Sequence, residues 1–311
     1  MTIGIAGFGP HAGRAVVRAL ASVEAVGRGA IGGFVSLVVL NEQGEVNRAS
    51  VQRGGTLALF GPKLKDIPPV IADSRMAVLM SSGPDRPEPL SQFTPAASGV
   101  GLVTGHRMPN TVGINGLELN GEVLKLMCAG ALPQVAVRQV VDANPDIDAG
   151  IIALDVDGNI FASNTRHVAL RGDAGRAQLG SRELGATVAV LHNAIYPHQP
   201  LASLAAHVAM DTMHPNDKPD ASIDFTAGIP LVHGPTNAVE VNDEGTVTRI
   251  HVENPKFLIG TWSIGIGYRT AAIRRSNPYA VMLYEPYMVV SKGRLQSADG
   301  QQSLSVPVRK I

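Results

Sequence analysis

The stretch that decides the fold runs from Gly99 to Gly172 and reads GVGLVTGHRMPNTVGINGLELNGEVLKLMCAGALPQVAVRQVVDANPDIDAGIIALDVDGNIFASNTRHVALRG. Its apolar runs and turn residues predict a strand ending near Thr104, then a helix over 121–144 and strands over 148–154 and 160–164. The first and last strands end in hydroxyl, amide, imidazole and guanidinium side chains. Because strand ends on a rigid sheet often carry binding and catalytic groups, this stretch also predicts a functional site.

Polar side chains form two clusters at these strand ends. Thr104, His106 and Arg107 belong to the first cluster, and residues 164–167 (Asn-Thr-Arg-His) form the second. Arginine presents a planar fork to a carboxylate, and histidine can act as a base. We expect the two strands to be neighbours, with both clusters around one small-molecule pocket. Alternatively, both clusters are ordinary polar loop residues without a function.

Composition limits the classes of function. The chain has 311 residues, of which 45% are hydrophobic and 17% charged, as is typical of a well-buried α/β or α+β protein. Its 26 basic and 26 acidic residues cancel, and no basic stretch stands out, so we expect no nucleic-acid partner. The near-neutral charge favours a homo-oligomer. We predict a buried, inert thiol at Cys128, the only cysteine.

The flanking residues predict further elements. Upstream, periodicity and turn residues predict a strand over 2–7, a helix over 10–26 and a hairpin formed by 33–40 and 45–51. Repeated prolines predict irregular backbone over 56–97, with room for one helix or strand around 70–80. Downstream, we expect a polar linker over 169–184, a strand over 185–194, a helix over 200–213, a hairpin over 238–252, and paired strands over 262–273 and 279–290. The N-terminus does not resemble a signal peptide and no apolar run could span a bilayer, so we expect a cytoplasmic protein without membrane contact.

Two further motifs suggest other functions. Residues 7–13 (GFGPHAG) place a glycine turn between a strand and a helix, as dinucleotide-binding proteins do. The next strand enters a hairpin at Asn41–Gly44, which favours a tight turn with helix capping over a nucleotide site. Residues 192–198, with His207, Asp211 and His214, could hold a metal. Because these residues lack the spacing of known zinc sites, we expect no metal and no cofactor.

Residues 148–172 resemble part of the isoaspartyl peptidase/L-asparaginase type of N-terminal nucleophile (Ntn) hydrolase. In that family a GGLIAVD-x-x-GN hairpin precedes FNT-x-GM-x-RG, and Asn164-Thr165 and Arg171-Gly172 fall in register with it. Asn120-Gly121-Glu122 opens the helix where the family has TGHGE, and residues 16–51 resemble its ALDAVE…VLN-x-x-G-x-VE-x-DASI. Residues 99–104 and 116–119 also resemble the GVGAVAT and GLELL segments of smaller bacterial Ntn-like proteins.

The resemblance covers residues 3 to 172 and implies a four-layer αββα sandwich. We therefore expect an α+β protein with an Ntn-hydrolase-like domain over 1–180. Residues 181–311 should form an α+β extension that completes the sheet or forms an interface. In the family, cleavage frees a Thr, Ser or Cys whose α-amine serves as its base. Here the expected cleavage region holds Phe93-Thr94-Pro95, and TGHGE is reduced to Glu118–Glu122.

Together these observations predict hydrolysis of an amide bond in a small, carboxylate-bearing substrate. Thr104 is the candidate nucleophile or oxyanion contact, and His106 is the candidate base. Thr165 and Asn164 would polarise or orient the substrate, and Arg107 or Arg166 would bind its carboxylate. The remaining candidate substrate-binding residues are His167 and Asn120. The alternatives are a non-catalytic small-molecule-binding protein on the same fold and a nucleotide-dependent enzyme that uses residues 7–13.

Overall fold

The chain forms two units, which a computed structural model describes over residues 2–214, 219–267 and 270–311. The first unit is Met1–Pro215 and the second is Asn216–Ile311. The chain contains both helices and strands and so belongs to the predicted α+β class. Within the described ranges, no helix is long and apolar enough to cross a bilayer.

Strands and helices are mixed along the first unit. Its strands are β1 (Thr2–Phe8), β2 (Phe34–Leu40), β3 (Val46–Val51), β4 (Met76–Ser82), β5 (Ala96–Ala97), β6 (Gly101–Arg107), β7 (Ala149–Asp155), β8 (Ile160–Asn164), β9 (Ala174–Ser181) and β10 (Ala186–Asn193). Its helices are α1 (Ala12–Val26), α2 (Gly55–Phe60), α3 (Pro69–Ala72), α4 (Leu119–Cys128), α5 (Pro133–Ala143), α6 (Arg166–Ala169) and α7 (His198–Met213).

These strands form two antiparallel sheets. The six-stranded sheet has the order β3-β2-β4-β1-β10-β9, and the four-stranded sheet has the order β5-β6-β7-β8. Both predicted hairpins are confirmed, with Val35 opposite Val51 and Ile151 opposite Ser163. Antiparallel pairing throughout separates this unit from a Rossmann domain, which needs parallel strands.

The six-stranded sheet buries both of its faces. On one face, Leu37 and Leu79 pack with Val16 of α1 and Leu201 of α7. On the other face, the alternate residues of the same strands pack against the four-stranded sheet, in a cluster that includes Val38, Val78, Leu102, Ile152 and Leu154. A strand that is buried on both faces has an almost continuous apolar sequence, which explains why β2 has the sequence FVSLVVL.

The outer face of the four-stranded sheet is covered by α4 and α5. Val103 and Ile151 on the sheet contact Val123 of α4 and Val137 of α5 in a separate apolar cluster. These two helices therefore cover the face of this sheet that points away from the six-stranded sheet.

The second unit consists mainly of strands. They are β11 (Ala221–Thr226), β12 (Leu231–His233), β13 (Ala238–Val241), β14 (Val247–Val252), β15 (Thr261–Ile264), β16 (Ala271–Arg274), β17 (Asn277–Met282), β18 (Met288–Ser291), β19 (Arg294–Ala298) and β20 (Ser303–Lys310). They form sheets of order β11-β20-β17-β16-β13-β14-β12 and β15-β18-β19. The β13–β14 hairpin is confirmed, but β15 pairs with β18 and β16 with β17, so the predicted pairing of 262–273 with 279–290 is split between two sheets.

The unit boundary lies later than the predicted one near residue 180. The predicted linker over 169–184 is largely strand β9, which pairs with β10 at the edge of the six-stranded sheet. The helix expected in the extension is α7, which packs on the first unit's core beside α1. The described part of the second unit, 219–267 and 270–311, contains no α-helix.

Two predictions about the central stretch need correction. The helix expected over 121–144 is two helices, because Gly130 adopts a φ of 93° and Pro133 starts a new helix at its first position. Cys128 is exposed rather than buried. Its neighbour Met127 faces the core, and the next residue on a helix is rotated by about 100°.

The two sheets of the first unit approach each other closely at Gly4 of β1. A Cβ added at Gly4 would collide with the carbonyl oxygen of Gly105 in β6. This position therefore requires glycine for packing, and a side chain here would push the sheets apart.

We predict that Gly4→Ala lowers the free energy of unfolding by about 1–3 kcal/mol or more, because the colliding atom is backbone and cannot rotate away. Denaturant unfolding of the full chain measures the effect. Gly172→Ala is the matched control, since Gly172 is exposed and its added Cβ would meet nothing within 4 Å. Equal stability of the two variants would contradict this account of the sheet packing.

Candidate functional site

Five strands of the first unit bring their ends to one edge, which we call the site edge. β1 begins there with Thr2, which lies opposite Ser82 at the end of β4 and Asn193 at the end of β10. In the facing sheet, β6 and β8 also end there, since both His106 and Asn164 are register partners of Gly150 in β7. The sheet order therefore gathers polar residues that are far apart in the sequence.

His106 lies at the centre of the site edge and is completely buried. Its Nε2 is 2.8 Å from Oδ1 of Asn164, and its Nδ1 is 3.4 Å from Oδ1 of Asn193. The shorter contact assigns the imidazole proton to Nε2, which donates to Asn164. Burial lowers the pKa of His106, and its two asparagine contacts only partly oppose this shift. The ring is therefore neutral at pH 7, and it lies between Asn164 of the four-stranded sheet and Asn193 of the six-stranded sheet.

Thr2 is the buried hydroxyl of the site edge. Its Oγ1 donates to Oδ1 of Asn193 at 3.1 Å and accepts the backbone N–H of Arg107. The hydroxyl is thus held by one acceptor and one donor from different sheets. The Nδ2 group of Asn193 is buried without a partner among the described residues, so an unused donor lies beside this hydroxyl.

A chain of ion pairs fixes the end of β6. Arg107 binds Oδ2 of Asp148, with Nε at 2.7 Å. Arg171 approaches the same oxygen at 4.0 Å and binds Asp173 at 2.7 Å. Burial opposes ionisation of Asp148, but the hydrogen bond and charge of Arg107 and the charge of Arg171 lower its pKa on balance. The guanidinium of Arg107 is thus already paired, and its backbone N–H faces Thr2.

The structure brings together only some of the predicted site residues. His106, Arg107 and Asn164 meet at the site edge, because β6 and β8 end on the same side of their sheet. The two strands are not neighbours as predicted, since β7 lies between them and pairs with both. The other candidates have local partners. These are Thr104 with the Leu79 carbonyl at 3.0 Å, Thr165 with the Ile147 carbonyl at 2.6 Å, Asn120 with the Gln92 carbonyl at 2.7 Å, and Arg166 with Asp146 at 3.1 Å.

These placements change the expected roles. Thr104 is fully buried and links β6 to β4, and Thr165 caps the short helix α6. Arg166 and His167 are exposed on that helix. Thr104 therefore acts as a link between sheets, and the hydroxyl at the site edge belongs to Thr2. Sequence reasoning missed Thr2, although a hydroxyl residue opening a buried strand was the available signal.

The glycine turn of residues 7–13 has a structural explanation. A Cβ at Gly13 would collide with the carbonyl oxygen of Ile71, so the glycine allows α1 to pack closely on α3. The Gly13 N–H donates to the Ser74 carbonyl at 3.3 Å instead of facing open space. Over the ranges that the structure describes, no three His, Cys, Asp or Glu side chains are grouped as metal ligands.

His192 is a second buried histidine of the first unit, one residue before the end of β10. Its Nε2 donates to the His198 carbonyl at 2.7 Å, and its Nδ1 is buried without a partner among the described residues. Burial is the main cause that lowers its pKa from 6.5 to about 4, and the nearby His106 and His198 add to the shift. His192 is therefore neutral in the folded protein at pH 7.

We predict that His192 makes the fold acid-sensitive between pH 6.5 and pH 4. As pH falls, the unfolded chain binds the proton first, so this contribution is fully present above pH 6.5 and is lost toward pH 4. The loss should be about 3 kcal/mol. Urea unfolding across this range measures it in the wild-type protein and in His192→Gln, which keeps a donor but does not titrate.

The variant should show a weaker pH dependence than the wild type. His214→Gln is the control, because His214 is exposed in the same unit. If His192→Gln and the wild type lose stability equally on acidification, His192 is not the sensitive group.

Comparison with known proteins identifies a family for the first unit. No curated protein matches the chain. Residues 228–303, within the second unit, match a family described as a domain of unknown function (DUF7259). Residues 2–222, which include every described residue of the first unit, match another family described as a domain of unknown function (DUF6963). This second match covers well over half of the chain, which therefore belongs to the DUF6963 family.

Proposed function

We propose that this protein hydrolyses an amide bond in a small, carboxylate-bearing substrate and that Thr2 is its nucleophile. The proposal replaces Thr104 with Thr2 and keeps the predicted class of reaction. The observation that carries it is the buried Thr2 hydroxyl, oriented by Asn193 and by the backbone N–H of Arg107 at the start of a central strand.

Cleavage of the Met1–Thr2 peptide bond gives Thr2 a free α-amine. That amine takes the proton from Oγ1 while the oxygen attacks the substrate carbonyl carbon, whose oxygen gains a negative charge. The proton passes to the leaving nitrogen as the C–N bond breaks, leaving an ester on Oγ1. A water molecule, deprotonated by the same amine, then hydrolyses the ester and restores the hydroxyl.

The surroundings of Thr2 supply groups for the charged intermediate. The unpartnered Nδ2 of Asn193 is a buried donor that can bind the developing oxyanion. The backbone N–H of Arg107 donates to Oγ1 of Thr2 and so orients the attacking oxygen. His106 donates to Asn164 and acts as a positioning residue for that amide.

The layer order supports an Ntn-hydrolase-like αββα sandwich as the fold of the first unit. Helices α1 and α7, the two antiparallel sheets, and helices α4 and α5 follow one another in that order. In this proposal the nucleophile opens an inner strand, and the two sheets form the walls of the site. A cytoplasmic location and a homo-oligomeric state stay predictions that accompany it.

We predict that purified protein lacks Met1 and that Thr2→Ala abolishes turnover without unfolding the chain. Intact-mass measurement tests the first point. The second is tested by release of amine from a panel of N-acyl amino acids and half-amides of dicarboxylic acids, with circular dichroism to check folding. Turnover by Thr2→Ala should fall at least ~1,000-fold, because the attacking oxygen is removed. An acyl adduct should be trapped on the peptide that contains Thr2.

Thr187→Ala is the matched control. Thr187 lies in β10 across from Phe8, at the end of the β1–β10 pair opposite to Thr2. This variant should turn over the panel at the wild-type rate. A chain that retains Met1, binds members of the panel and hydrolyses none would contradict the proposal and would support the non-catalytic binding protein.

A further inference from the structure

Arg86 lies at the site edge, near the end of β4. It follows β4, whose last residue, Ser82, is the register partner of Thr2. The Nε of Arg86 is 3.3 Å from Oγ of Ser82, and its Nη1 is 3.3 Å from the sulfur of Met108, the residue after β6. The guanidinium therefore reaches from one sheet to the other across the site edge.

The backbone of Arg86 is held in place independently of its side chain. Its N–H donates to Oε1 of Gln52 at 3.0 Å, and its carbonyl accepts from Nε2 of Gln52 at 2.6 Å. The guanidinium also lies 5.9 Å from the centre of the Phe93 ring. These contacts fix the position of the cation before any ligand binds, which lowers the cost of binding.

Arg86 has no acidic partner among the described residues, unlike three other arginines of the first unit. Arg53 binds Asp85, Arg107 binds Asp148, and Arg171 binds Asp173. Among the described residues, no carboxylate forms an ion pair with Arg86, and its guanidinium contacts a hydroxyl and a thioether. Nη2 of Arg86 has no hydrogen-bond partner among these described residues.

A half-buried cation without a counter-ion is unfavourable. Burial, followed by the charge of Arg107, lowers the pKa of Arg86, so the site opposes the charge that the side chain still carries. A carboxylate bound by this guanidinium would supply the missing negative charge and two acceptors for the fork. Arg107 cannot serve equally well, because Asp148 already occupies its guanidinium.

We propose that Arg86 binds the carboxylate of the substrate beside Thr2 and so restricts this site to acidic amides. The assignment rests on the proposed function for the reaction at Thr2, but the binding of an acid at Arg86 does not depend on turnover. It also moves carboxylate recognition from the predicted Arg107 and Arg166 to a residue that the sequence motifs did not indicate.

Calorimetric titration of the full chain tests this proposal. The probes are succinate, glutarate, N-acetylglycine and N-acetylaspartate, with succinamide as the neutral comparison. The wild type should bind at least one acid more tightly than succinamide. Arg86→Gln should weaken that acid by about 10–100-fold, the range expected for charge-assisted hydrogen bonds, and should leave succinamide unchanged. Arg86→Lys should retain part of the affinity.

Arg53→Gln is the matched control, because Arg53 lies in the same region but is exposed and paired with Asp85. It should bind the acids as the wild type does. Thermal unfolding checks that Arg86→Gln folds, as the Gln52 contacts with its backbone predict. The proposal is overturned if the wild type binds none of the acids, or if Arg86→Gln and Arg53→Gln bind them equally.

Thr2→Ala separates this proposal from the proposed reaction. If Thr2→Ala keeps turnover while Arg86→Gln loses acid binding, Thr2 is not the nucleophile, but the carboxylate site at Arg86 is supported. If Thr2→Ala loses turnover while Arg86→Gln binds acids normally, the reaction stands and the carboxylate site fails.

Discussion

The face-to-face packing of the two sheets is the constraint on which the rest of the first unit depends. Gly4 lets β1 approach Gly105 of β6, and Thr104 of β6 donates to the Leu79 carbonyl of β4. The apolar side chains between the sheets are excluded from water, which supplies the main driving force for this contact. Because the sheets are held in register, their strand ends meet at one edge. The candidate site is a consequence of that meeting.

Electrostatics divides the site edge into a neutral interior and a charged mouth. His106 and His192 are buried, and burial lowers the pKa of both, so the interior carries neutral hydrogen-bonding groups. The alternating pairs from Arg107 to Asp173 lie where water and neighbouring charges compensate the guanidinium and carboxylate groups. This division places an oriented hydroxyl next to one unused donor, Nδ2 of Asn193, in a buried region where hydrogen bonds to a developing charge are strongest.

The difference between Thr104 and Thr2 shows why a motif alone did not identify the hydroxyl. Both residues are fully buried threonines on inner strands. Thr104 donates to a backbone carbonyl deep between the sheets, whereas Thr2 contacts the side chain of Asn193 at the end of its strand. A hydroxyl used to satisfy a carbonyl stabilises the fold. A hydroxyl beside an unpartnered amide is placed where a ligand could complete its hydrogen bonds.

The sequence by itself determined the elements that depend on local interactions. Asp155 accepts the backbone N–H groups of Asp157 and Asn159, so the turn between β7 and β8 follows from residues within one short segment. The helix α1 and the hairpin of β2 and β3 follow in the same way from periodicity and turn residues. The α+β class and the polar ends of β6 and β8 could be predicted for the same reason.

Only the tertiary structure decided which of these ends meet Thr2. Thr2 contacts Asn193 across 191 residues of sequence, and His106 contacts Asn193 across 87. Such contacts depend on the order of strands in two sheets and on how the sheets face each other, which local propensity does not encode. The same reason explains the late unit boundary, because β9 and β10 join the six-stranded sheet only through pairing with β1. Arg86 likewise became notable only when no carboxylate among the described residues proved to form an ion pair with it.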